Sequence, residues 1–146
     1  MTHFTVSEAT AHDGLSSAQA SSGKRPWRSV GAVAAGLSFT FAITTLVDMV
    51  WHALGVFPAF EVRMSDALFV LALAYRIPFN IGGSYLAARL APRAPERHAL
   101  ILGGIGIVLS TVGAIVMWEH GPAWYSIANI AIALPCAWAG AKILAR

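Results

Sequence analysis

Leu68–Ala88 reads LFVLALAYRIPFNIGGSYLAA, and Arg76 is the only formal charge in it. At 1.5 Å per residue, a helix of this length matches a hydrocarbon core of about 30 Å. The stretch is therefore predicted to span a membrane. A charged side chain at the centre of such a span costs about 2.5–3.5 kcal/mol on insertion scales, so Arg76 demands a partner. Arg76, Asn80 and Ser84 follow one another at four-residue steps, which places them on one helix face. Pro78 lies inside the stretch and frees the carbonyl of Ala74, which must then be satisfied within the protein.

The partner is sought in the preceding apolar run. Ala32, Gly36, Thr40, Thr44, Asp48 and His52 recur every four residues there. Small and polar residues in such a row let a second backbone approach closely, so the row is predicted to be a packing seam. Asp48 stands six residues before Leu54, roughly 9 Å below the outer end of its helix at the helical rise. Arg76 stands eleven residues beyond Ser65, roughly 16 Å deep on the same arithmetic. Side chains lean toward the N-terminus of their own helix, so in two antiparallel helices these two lean toward each other. An intramembrane Asp48–Arg76 ion pair is expected, with Asn80 or His52 as a further partner.

Composition sets the class. The chain has 146 residues, 57% hydrophobic and only 12% charged, where soluble domains carry about 25% charge. A net charge of +3 does not point to nucleic acid, because the basic residues flank apolar runs as membrane topology requires. The single cysteine, Cys136, excludes an intrachain disulfide and fits a small packing residue. No cofactor is implied. No phosphate loop, nucleophile elbow or zinc-protease helix is present, so no catalytic residue is assigned. His52 and His120 come from different segments without the spacing of a dedicated metal site, so no metal is assigned either.

The predicted fold is all-α, an antiparallel four-helix transmembrane bundle built from two tandem hairpins. Spans are expected at about 30–53, 66–90, 99–118 and 123–144, within one domain of residues 29–146. Residues 1–28 lack apolar periodicity and are expected to form a disordered cytoplasmic tail ending in the basic collar Lys24-Arg25-Pro26-Trp27-Arg28. Ser65 and Asp66 suit a helix start, as N-cap and first-turn acid. Gly106, Ser110 and Ala114 give the third span a small-residue face.

Eight of the ten Lys and Arg fall on one side of these spans and Arg63 alone on the other, with Arg76 inside. Both termini and the middle turn are therefore expected in the cytoplasm. Trp51, Phe57, Trp118, Trp124 and Tyr125 would form an aromatic belt at the opposite interface. A weak internal repeat pairs Pro78, Gly83 and Arg89 with Pro135, Gly140 and Arg146. It also pairs Gly36, Thr44 and Trp51 with Gly103, Thr111 and Trp118.

Two readings of the polar residues stand side by side. In one, Asp48, His52, Arg76 and Asn80 form a proton- or ligand-handling site open to the outer face, rimmed by Asp66, Glu119, His120 and Asn129. In the other, a buried ion pair orders two helices. The corresponding functions are a small oligomeric transporter or proton-coupled carrier, and a structural or accessory membrane protein. A membrane enzyme is the weakest alternative, because no nucleophile–base set is visible. The lipid bilayer is the expected partner, with a second copy or another membrane protein as a further one.

Several stretches carry a resemblance: Asp48-x3-His52-x2-Gly55-x2-Pro58, Met64-Ser65-Asp66-Ala67-Leu68-Phe69, Tyr75-Arg76, Ala88-Arg89-Leu90-Ala91-Pro92 and His98-Ala99-Leu100-x2-Gly103. From about Val30 onward the chain resembles a family of small bacterial four-span integral membrane proteins that has no characterised activity. The resemblance implies a multi-pass protein of the bacterial inner membrane and carries over no activity. The small multidrug exporters share four short spans and one membrane carboxylate. This chain lacks their pattern, and Arg76 would neutralise the carboxylate.

Overall fold

The computed structural model describes residues 5–59, 62–119 and 121–146, with side chains from Trp27 onward. The described residues form four helices joined by short loops: α1 (Thr5–Ala53), α2 (Asp66–Leu90), α3 (Pro95–Val116) and α4 (Ala123–Leu144). All four include segments long and apolar enough to cross a membrane, in α1 over Trp27–Ala53. The chain is thus an all-helical multi-pass membrane protein, as its shortage of charge predicts.

The helix bounds follow local chemistry. Ser65 takes the extended conformation of an N-cap, and its carbonyl accepts the N–H groups of Leu68 and Phe69. Asp66 occupies the first turn, where the helix dipole favours it. The helix α3 begins at Pro95, four residues before the expected start, because Pro is well placed at the first helical position. Ala94 before it lies in the left-handed region, φ 46°, and reverses the chain between α2 and α3. Pro78 and Pro135 lie inside unbroken helices.

The N-terminal end differs from expectation. The helix α1 reaches back to Thr5, through most of the stretch predicted to be a disordered tail; residues 1–4 lie outside the described residues. Extending an existing helix adds one hydrogen bond per residue fixed, without a new nucleus. Ala9, Ala11, Ala18 and Ala20 are strong helix formers.

The helices pack as two hairpins, α1 with α2 and α3 with α4, joined mainly through α2 and α4. The helix α3 also touches α2 and, more lightly, α1, whereas α1 and α4 do not touch among the described residues. The predicted seam of α1 is the surface that meets α2. Ala32 and Gly36 are buried on it. A Cβ on Gly36 would collide with the carbonyl oxygen of Gly83 and with Ala87. Thr40 returns its hydroxyl to the carbonyl of Gly36 at 3.0 Å, so a polar side chain reaches the seam with its hydrogen bond satisfied within its own helix.

The α3–α4 seam is made of Gly103 against Ala133 and Ala137. Gly106 is in ordinary contact with Ala133, and Gly106, Ser110 and Ala114 are half-buried where Val108, Leu109, Val112 and Ile115 are exposed, so the expected small-residue face does turn inward, with its tightest approach one turn earlier at Gly103. The sequence repeat fails at this point. It aligns Gly36 with Gly103, and so predicts Gly103 against Gly140 and Leu144. Gly103 instead meets residues seven positions earlier in each case, and Gly140 packs on Ile81, Ser84 and Tyr85 of α2. Seven residues are two helical turns, about 10 Å, so the Gly36–Gly103 match and the Pro78–Pro135 match cannot both hold. Apolar spans share a small vocabulary of residues, which produces such matches by composition.

Candidate functional site: an ion pair across three helices

The row on α1 that forms the seam continues outward to Asp48, and there the packing turns polar. Arg76 on α2 donates from a terminal guanidinium nitrogen to Asp48 Oδ2 at 3.0 Å. The expected pair is therefore present, with about a third of the Arg76 side chain and a quarter of the Asp48 side chain exposed. Tyr75, the residue before Arg76, donates its hydroxyl to the other carboxylate oxygen, Oδ1. Consecutive helix residues point about 100° apart, so Tyr75 and Arg76 approach the carboxylate from two sides and occupy one oxygen each.

The guanidinium carbon of Arg76 also lies 5.9 Å from the centroid of the Tyr125 ring on α4, within the range of a cation–π contact. Tyr125 packs on Phe69, one ring centroid 4.9 Å from the other. Phe69, Ala72 and Arg76 thus form the α2 face beneath α4, since Phe69 and Ala72 are both buried. Arg76 Nε is buried without a hydrogen-bond partner among the described residues. The cluster has three parts: a carboxylate from α1, a cation and a phenol from α2, and an aromatic face from α4.

The other expected site residues are distributed differently. The His52 ring stands edge-on to Phe57 at 5.5 Å. Asn80 is half-buried and makes no side-chain hydrogen bond among the described residues. Asn129 donates to the backbone carbonyl of Tyr125 at 3.0 Å, one turn away on its own helix. Asp66 and Glu119 are exposed and form no ion pair among the described residues. His120 lies outside the described residues.

Two members of the expected aromatic belt are turned inward. Phe57 is 4% exposed because the loop folds back, its N–H and that of Val56 both reaching the carbonyl of Trp51. Gly55 makes that reversal with φ +71°, a conformation glycine adopts without strain. Tyr125 covers Arg76. Trp118 and Trp124 remain exposed, as a belt requires.

Sequence reasoning missed Tyr75 and Tyr125 as members of the site. The one local signal for Tyr75 was its place beside Arg76, since a phenol hydroxyl can donate to the same carboxylate. Nothing local marked Tyr125, whose contact depends on how α4 sits against α2. A comparison with protein-family models, curated proteins and solved structures finds no match. The reading of the site therefore rests on its geometry.

Proposed function

We propose that this chain is a structural or accessory multi-pass protein of the bacterial inner membrane, with both termini in the cytoplasm. Its Asp48–Tyr75–Arg76–Tyr125 cluster is a clamp that fixes the register of three helices. The observation that carries this reading is the position of Arg76. It reaches Asp48 on α1 and Tyr125 on α4, two helices that do not otherwise touch among the described residues. Both carboxylate oxygens are occupied by donors of the protein itself, as a structural pair requires. The orientation draws on the split of flanking Lys and Arg.

The carrier reading draws on the partial exposure of the pair and on the buried Nε of Arg76, which has no hydrogen-bond partner among the described residues. The test compares wild type with the Asp48→Asn/Arg76→Gln variant, both reconstituted in liposomes holding a pH gradient. A clamp gives wild-type proton flux equal to that of empty vesicles. Flux above that background, abolished in the neutral variant while it stays folded, would overturn the clamp in favour of a carrier.

A further inference from the structure

A groove runs along the C-terminal end of α4, on the side away from the ion pair in depth. It is lined by Trp138, Ala139, Lys142, Ile143, Ala145 and Arg146. Trp138, Lys142 and Arg146 recur at four-residue steps and so share one face of the helix. Trp138 and Ile143 are each more than half exposed, so the floor of the groove is apolar and open to the bilayer. Lys142 Nζ stands 5.7 Å from the Trp138 ring centroid and 3.7 Å from Glu96 Oε1 at the start of α3. Its ammonium is thus held over the groove from two sides.

The charge of this end of the bundle is one-sided. The end gathers the start of the α1 span, the end of α2, the start of α3 and the end of α4. Its described charged residues are Arg28, Arg89, Arg93, Arg97, Lys142 and Arg146, against Glu96 alone. We propose that the groove binds the headgroup of an anionic phospholipid. The phosphate sits on Lys142 and Arg146, and the glycerol and first methylenes lie on Trp138 and Ile143. Basic pockets at the ends of transmembrane helices bind such headgroups, and tryptophan is suited to the level where they lie. A zwitterionic lipid brings its own cation toward Lys142 and Arg146, which disfavours it. Inorganic phosphate satisfies the cations but leaves the apolar floor uncovered.

The proposal rests on the membrane reading but not on the orientation or on the clamp. The experiment uses the full chain in a zwitterionic detergent, with native mass spectrometry counting bound lipid. The probes are phosphatidylglycerol, phosphatidylcholine and inorganic phosphate. Phosphatidylglycerol is expected to bind in preference to both others. Lys142→Gln/Arg146→Gln should weaken it about 30-fold, from the usual contribution of two basic residues near anionic lipid. Arg89→Gln/Arg93→Gln, basic residues at the same end but outside the groove, should change it by less than about threefold.

Glu96→Gln removes the carboxylate that competes for Lys142, and should tighten binding about fivefold by the same reckoning. That variant keeps the test decisive if the double variant fails to fold. Equal loss in the two basic pairs, equal binding of phosphatidylcholine or of phosphate, or no gain with Glu96→Gln would each overturn the site. A chain that transports protons, or has the opposite orientation, would still show the lipid preference, so failure of the earlier reading is distinguishable.

Discussion

Arg76 illustrates how one charged residue can be held in an apolar span. Its partners are a carboxylate on one neighbouring helix and an aromatic face on another, and the adjacent tyrosine engages the oxygen that it leaves free. Removing one member of a buried pair costs about 3–5 kcal/mol in soluble proteins, whereas replacing both by apolar residues is often nearly neutral. In a bilayer the cost falls, because unassembled helices find other partners. Asp48→Leu and Arg76→Leu are therefore each expected to lower the folded fraction in a detergent-unfolding titration, and the double Leu variant to recover much of it. Single variants as stable as wild type would remove the pair from any structural role. Tyr75→Phe keeps the ring and deletes only the hydrogen bond to Asp48. It is expected to cost about 0.6 kcal/mol, the average for side-chain hydrogen bonds in a membrane protein, and no more than about 1.7 kcal/mol.

Between elements, close approach is set by glycine and alanine. Gly83 admits Thr40 so tightly that a Cβ there would overlap the Thr40 hydroxyl, and the carbonyl of Gly36 lies close behind. Because backbone is part of the obstacle, side-chain rotation cannot relieve the whole clash. Gly83→Ala is expected to destabilise the α1–α2 hairpin by about 1–3 kcal/mol, the usual cost of overpacking. Gly104 faces open space, so Gly104→Ala should be neutral or stabilising by up to about 1 kcal/mol, the propensity difference in a helix interior. Equal effects from the two substitutions, read in the same unfolding assay, would contradict the seam. Ala94 sits in the left-handed region, where a side chain costs about 1–2 kcal/mol. Ala94→Gly is expected to stabilise the chain by relieving part of that strain, read as a raised unfolding midpoint.

At the scale of the whole molecule, α2 and α4 form the middle of the bundle, with α1 on one and α3 on the other. Among the described residues this arrangement leaves α1 and α4 without direct contact, which gives the span of Arg76 its importance. An even number of crossings puts both ends of the chain on one side of the membrane. With the basic residues inside, alkaline phosphatase fusions after Ala59 and after His120 are expected to be active. Fusions after Pro95 and after Arg146 are expected to be inactive. Activity after both Ala59 and Pro95 would break the four-crossing topology. Activity only after Pro95 and Arg146 would keep the topology and reverse its orientation.

Number, length and class of the spans were legible in the chain itself, because apolar length and the placement of charge are one-dimensional properties. The bounds of α2 and α4 coincide with those expected from Ser65, Asp66 and the apolar runs. The Asp48–Arg76 pair was legible for a related reason: the cost of an unpaired charge in lipid, depth along the helix and the lean of the side chains together narrow the choice of partner. Packing decided the rest. Which glycine meets which residue depends on the rotation and shift of one helix against another, and a sequence match such as Gly36 with Gly103 carries no information about either. The inward turn of Phe57 and Tyr125 likewise follows from the loop reversal at Gly55 and from the contact of α4 with α2. Periodicity places a residue on a face of its own helix; only the tertiary structure determines what that face meets.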